Sequence, residues 1–168
     1  MVNGKMLYLV RHAQAEPGRP GMEDAHRVLS REGREDTVLA GRGLRRLGVR
    51  LELFLVSPLR RAQETARLLA GSLSARIEEH APLAPGRGAE EILQSLSGYS
   101  SLTSVALVGH EPDLGRLASL LLSGDARHMP LPFQPGQVAA IEVESIPPRA
   151  PGLLRWFIPQ RALVLIGS

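Results

Sequence analysis

Three short apolar runs, Met6 to Val10, Leu53 to Val56 and Val105 to Val108, constrain this chain more tightly than any other feature of its sequence. Continuous apolar runs of this length, bounded by polar residues, suit strands of a parallel sheet that is covered on both faces. In such sheets ligands bind at the carboxyl ends of the strands. There the first run breaks into Arg11-His12-Ala13 and the third into Gly109-His110-Glu111, so two histidines reach one rim. A histidine serves as a nucleophile toward phosphorus, or as a general acid or base near neutral pH, and an arginine fork matches the oxygens of a phosphoryl group.

The middle run ends at Ser57 and breaks into Pro58-Leu-Arg-Arg-Ala-Gln-Glu-Thr-Ala66. Ser57 followed by Pro58 predicts a helix cap with proline in the first turn. Such a helix carries Arg60 and Arg61 early, and one or both can point back to the rim, where free helix N–H groups already favour an anion. The remaining pattern predicts a polar loop to Leu29, a helix over 31–47, a strand over 52–57, a helix over 58–73, a short strand over 75–79 and a Pro- and Gly-rich loop to Gly88. A short helix over 89–96, a strand over 104–109, a helix over 112–123 and two late strands over 137–144 and 153–159 complete it, the last two as a hairpin or edge pair. Ser30-Arg-Glu-Gly33 supplies a hydroxyl cap with an acid in the first turn, after which Val38, Leu39, Leu44 and Leu47 predict the core-facing stripe. Strands alternating with helices imply a three-layer α/β/α fold with a mostly parallel central sheet.

Composition excludes several alternatives. At 168 residues and 43% apolar content the chain fits one domain, residues 1–168, with a sizeable core. The formal net charge of +3 comes with nineteen arginines and one lysine, and no block of five or more like charges marks a nucleic-acid or membrane patch. With no cysteine there is no disulfide, thiol catalysis or thiolate metal site. The only apolar run before Arg11 is too short for a signal segment or membrane span, so the cytoplasm is the expected location. His26, His80 and His128 lie in polar or Pro-rich stretches and are expected at the surface. No His-x-x-x-His or carboxylate cluster has metal-ligand spacing, so neither a metal nor another cofactor is expected.

Arg-His-Ala after the first strand, Ser-Pro-Leu-x-Arg-Ala-x-x-Thr-Ala after the middle one and Gly-His-Glu-Pro-Asp-Leu after the late one resemble, in order and spacing, the histidine phosphatase superfamily with its phosphoglycerate mutase-like fold. Within it the chain looks most like the small SixA-type phosphohistidine phosphatases, because it is short and its segment Asp24 to Gly33 is similar to their Arg-Pro-Leu-Thr-x-x-Gly block. The resemblance runs from Met6 to Ile158 and is least specific over residues 72–104. Ala13 stands where glycine is commonest in the superfamily and Val28 where the subfamily usually has proline, and neither change removes a reactive group.

The resemblance implies a metal-independent phosphatase in which neutral His12 attacks phosphorus in line to give a phosphohistidine enzyme intermediate that water hydrolyses. Arg11, Arg61 and His110 would hold the equatorial oxygens, with His110 cationic or at least an N–H donor and the two histidine pKa values split. The family pattern assigns the phosphate arginine to Arg61 and leaves Arg60 as a solvated helix charge. Arg27 would reach the phosphate mouth or form a structural salt bridge. Ser57 is a helix cap first and a phosphate contact second, and Glu111 joins the substrate-binding set. For protonating the leaving group the topology offers Glu90, Glu91, Glu111 and Asp113. The absence of an obvious acid favours phosphohistidine, whose imidazole leaves with a conjugate acid of near-neutral pKa. The implied partner is a histidine-phosphorylated signalling or phosphotransfer domain, or a small phosphorylated molecule, with no nucleic acid or membrane. The alternatives are a broad phosphatase of small esters, a mutase, which the compact 80–100 segment disfavours, and a non-catalytic phosphate-binding module.

Overall fold

The apolar runs do form the centre of a sheet. The computed structural model describes residues 4–129 and 131–168. Strand β1 spans Lys5–Arg11, β2 Leu53–Val56, β3 Arg76–Glu79, β4 Ser104–Gly109, β5 Val138–Val143 and β6 Leu153–Ile158. They lie side by side in the order β3-β2-β4-β1-β5-β6. The first four run parallel, and β5 and β6 complete the sheet antiparallel. The helices are α1 (Arg31–Arg46), α2 (Arg60–Leu73), α3 (Ala89–Ser95), α4 (Asp113–Ser123) and α5 (Gln160–Gly167).

Side-chain alternation along each strand divides the core into two layers. Leu7, Leu9, Leu53, Leu55, Val105 and Leu107 pack with Ile92 of α3 and Leu114, Leu117 and Leu121 of α4. Tyr8, Val10, Phe54, Val56, Ala106 and Val108 pack on the other face with Ala40 and Leu44 of α1, Ala62, Ala66 and Leu69 of α2 and Leu163 of α5. Because both faces are covered, β2 and β4 are buried along their whole length, which is why they read as unbroken apolar runs. Truncating a leucine at this depth, such as Leu107→Ala, costs about 2–5 kcal/mol. Among the described residues no helix is long and apolar enough to cross a membrane.

Three expectations need correction. Helix α2 begins at Arg60, two residues later than predicted, and its N-cap is Leu59 without a side-chain bond, so Ser57 is not its cap. On α1 the buried residues are Gly33, Thr37, Ala40, Gly41, Gly43 and Leu44, whereas Leu47 is exposed and Val38 and Leu39 are half-buried. The cause is α5, which follows the last strand and was not anticipated. It approaches so closely that a Cβ on Gly43 would overlap the Leu163 carbonyl, and one on Gly167 the Leu39 carbonyl. The Ser30 cap is as expected, its hydroxyl accepting from Gly33 N at 2.9 Å. His80 is buried rather than at the surface, with Nε2 2.7 Å from Ser95 Oγ, while His26 and His128 are exposed.

Candidate active site

Strands β1 and β4 pair with Arg11 opposite Gly109, so the residues that follow leave the sheet side by side. His12 N donates to the Gly109 carbonyl at 3.1 Å. The two imidazoles then lie with centroids 5.1 Å apart, and His12 and His110 are only 9% and 4% exposed. His12 Nδ1 is 2.8 Å from the Ala13 carbonyl oxygen. A carbonyl can only accept, which assigns the proton to Nδ1 and leaves a lone pair on Nε2. Arg61 Nε donates to that lone pair at 3.2 Å.

Each of the three side-chain nitrogens of Arg61 donates a hydrogen bond. Its Nη1 donates to the Asp24 carbonyl and its Nη2 to Asp24 Oδ2, both at 2.9 Å. Asp24 sits on a single 3₁₀ turn, Asp24–His26, in the long loop between β1 and α1. The same carboxylate accepts from Arg27 Nη1 at 3.1 Å, and Arg27 Nε donates to the Glu16 carbonyl. Partial burial pushes the Asp24 carboxyl up, but the bonds from Arg27 and Arg61 outweigh it and hold it below the usual range. Glu64 secures the loop's far end by accepting from Leu29 N at 2.8 Å, and it faces Arg60 and Arg34. Arg60 therefore has the solvated helix role expected of it, with its side chain 62% exposed, against 7% for Arg61.

The opposite wall is less satisfied. Arg11 Nη1 donates to the Phe133 carbonyl at 2.7 Å, but its buried Nε has no partner among the described residues. His110 Nε2 is 2.7 Å from Ser57 Oγ, which also accepts from Leu59 N. Among the described residues the hydroxyl proton has no acceptor other than Nε2, which places the His110 N–H on Nδ1. That buried Nδ1 also lacks a partner. Each orphaned donor costs about 1–3 kcal/mol, a cost that a ligand oxygen would remove. Ser57 thus orients His110.

The electrostatics correct a further expectation. Burial, opposed by the Ala13 carbonyl and reinforced by Arg61 and Arg11, drives His12 down from 6.5 to about 4. Burial, with His12 and Arg61 adding to it, drives His110 to about 3. Both are neutral at pH 7, so His110 is an N–H donor and not a resident cation, and the pair is displaced together instead of split. Two neutral imidazoles fit a site whose positive charge is carried by arginines.

Of the candidate proton donors, Glu90 is exposed and Glu91 pairs with Arg87 at 2.7 Å. Asp113 is buried and accepts from Gly86 N at 2.7 Å. None of the three hydrogen-bonds to the histidine pair. Glu111, next to His110, accepts from Gly115 N at 3.0 Å and from Phe133 N. Burial pushes its carboxyl up, against the pull of those amides and of Arg11. Sequence reasoning brought His12, His110, Arg11 and Arg61 to one place and set Arg27 and Ser57 at its edge. It assigned no role to Asp24, whose only signal was an acid three residues before Arg27. Among the described residues no group of three or more histidine or acidic side chains could hold a metal ion.

The chain as a whole has counterparts among known proteins. The family model of the histidine phosphatase superfamily, branch 1, matches residues 7–84. An uncharacterized protein of Picosynechococcus sp. is 34% identical over 125 residues, covering 73% of this chain and 76% of that protein. The tungstate complex of the protein histidine phosphatase SixA superimposes with a TM-score of 0.83 at 23% identity, covering 94% of this chain and 99% of that one. The alpha-ribazole phosphatase from Shigella flexneri gives 0.74 at 20% identity, covering 92% and 96%. The chain belongs to the histidine phosphatase superfamily and is an enzyme of the phosphatase class. Its fold is that of the SixA-like, phosphoglycerate mutase-like members.

Proposed function

We propose that the enzyme removes phosphate from phosphohistidine on proteins, without a metal, through a phosphohistidine intermediate on His12. The observation that carries the mechanism is the His12 tautomer. With the proton held on Nδ1 by Ala13, Nε2 is a neutral nucleophile deep in an arginine-rich pocket. Nε2 attacks phosphorus in line as the bond to the leaving imidazole breaks, and the departing nitrogen takes a proton from solvent. Water then attacks the phosphorus on His12, giving inorganic phosphate and restoring the imidazole. Arg11 Nε and His110 Nδ1 take phosphoryl oxygens, and Arg61 turns its Nε–H from Nε2 to a third oxygen, which frees the lone pair. Positioning and charge dominate phosphoryl transfer, so this set suffices.

Phosphohistidine is favoured because Glu91 and Asp113 are engaged in other bonds and Glu90 is exposed, none of them bonded to the histidine pair. Imidazole leaves without a strong acid, whereas an alkoxide needs a proton in the transition state. The overlap with SixA supports the same substrate class. A second reading, hydrolysis of small phosphate esters, is favoured by Glu111, whose raised carboxyl beside His110 is the available acid. Two measurements test the assignment. His12→Ala should lose at least about a thousandfold in turnover while remaining folded, and wild-type enzyme quenched with labelled substrate should carry acid-labile, base-stable phosphate. Glu111→Gln should leave phosphohistidine turnover nearly intact; a collapse there, with esters preferred by the wild type, moves the enzyme to the ester branch.

A further inference from the structure

Next to the phosphate pocket, outside the groups used above, a groove of about 260 Å³ opens between the start of α4 and the loop that leads to β5. Its floor is apolar, formed by Pro112, Ala126, Leu131 and Pro132, with Met129 at its edge as one of the few large apolar side chains open to solvent. Arg116 and Arg127 line it, and among the described residues neither side chain has an ion-pair partner. Asp125 lies close by, but Oδ1 is taken by the backbone N–H of Arg127 at 2.8 Å.

The groove is continuous with the catalytic wall. Glu111 lines it and directly follows His110, and Phe133, one residue beyond Pro132, donates its N–H to Glu111 while its carbonyl holds Arg11. On the other side of the pocket Met22, 40% exposed, lies two residues from Asp24, which holds Arg61. The phosphate pocket is therefore flanked by two loops, each presenting an exposed methionine. Methionine adapts to irregular partner surfaces, and together with arginine it is enriched at protein interfaces. A small ester bound by its phosphate would reach no further than the Glu111 end of this groove. A protein that carries the phosphoryl group would lie across it.

We infer that the groove is a docking site for the phosphorylated protein, and that it selects an acidic partner. An apolar side chain of that partner enters over Leu131 and Met129, and a carboxylate sits between Arg116 and Arg127. The inference rests on the phosphohistidine reading, and it adds the class of protein chosen.

The test uses the full-length enzyme with four probes: phosphohistidine on an acidic carrier protein, phosphohistidine on a basic carrier, free phosphohistidine and an aryl phosphate. Arg116→Glu/Arg127→Glu should lower kcat/KM on the acidic carrier by about tenfold, mainly through KM, and flatten its salt dependence. It should leave free phosphohistidine and aryl phosphate within about twofold of wild type. Arg116→Gln/Arg127→Gln should show a smaller loss in the same direction, which separates charge from damage to the fold. Met129→Asp should weaken the acidic carrier alone. No change on the acidic carrier, or an equal loss on all four probes, overturns the docking site. If instead the wild type turns over aryl phosphate faster than every phosphohistidine probe, the phosphohistidine reading itself has failed, whatever the arginine variants do.

Discussion

The two walls around the histidine pair are built from similar residues but are in opposite states. On one wall Arg61 has bonds to the Asp24 carbonyl, to Asp24 Oδ2 and to His12 Nε2. On the other, Arg11 Nε and His110 Nδ1 are buried with no partner among the described residues. In the proposed mechanism the second wall would gain hydrogen bonds outright from an oxyanion, whereas the first would have to exchange partners, because Arg61 Nε holds the His12 lone pair needed for attack. Binding and activation thus fall on different sides in that mechanism, with the carboxylate of Asp24 mediating the second.

The largest effect that sharpens this contrast comes from the arginines of α2. Arg61→Ala should reduce turnover by two to three orders of magnitude, the order of about 2.7–4 kcal/mol lost with an oxyanion contact, while Arg60→Ala should stay close to wild type. Steady-state rates on one substrate decide it, and a reversal would mean that the buried arginine is not the one in use. Asp24→Asn comes next. With the competing charge gone, inorganic phosphate should inhibit several-fold more tightly, and kcat should fall by about tenfold as Arg61 loses its fixed orientation. Unchanged kcat and unchanged phosphate inhibition would erase the difference between the walls. Ser57→Ala should cost roughly fivefold in kcat, the value of one neutral hydrogen bond of about 1 kcal/mol, because His110 can then adopt either tautomer. Asparagine at position 110, which keeps an N–H donor, should be less sensitive to the loss of the Ser57 hydroxyl if that explanation holds.

A further expectation concerns stability rather than rate. An unfolded histidine binds a proton below about pH 6.5, whereas folded His12 and His110 resist it until about 4 and about 3. Over that window the unfolded chain holds more protons, so stability rises with pH and is lost as pH falls through the folded values. Each histidine contributes a slope approaching about 1.4 kcal/mol per pH unit. Urea titrations at several pH values should show this slope, and His12→Gln should remove one proton's share of it. An unaltered slope would place the titration elsewhere.

The wall of Arg11 and His110 was the more legible in sequence. His12 and His110 follow apolar runs, and burial on both faces makes such runs conspicuous, so their convergence follows from the parallel register of β1 and β4. Asp24 was not legible. Its contact to Arg61 spans 37 positions and depends on how the β1–α1 loop is anchored by Glu64, which no periodicity records. Ser57 showed its hydroxyl but not its direction: the predicted cap gave way to His110 once the helix began at Arg60. The stripe on α1 misled for a related reason. Bulky Leu47 and Leu39 suggested the core face, but a neighbouring helix that touches through its main chain requires small residues there.

That seam between α1 and α5 also bears on how the chain acquires its structure. Gly43 meets Leu163, and Gly167 meets Leu39, so a surface made early in synthesis is completed only by α5, which follows β6. Until then Ala40 and Leu44 lack the cover that buried Leu163 helps provide. Contacts so distant in sequence close slowly, because the loop entropy is lost before the packing is gained. The nascent chain therefore carries both site histidines, His12 and His110, before the seam between α1 and α5 can form.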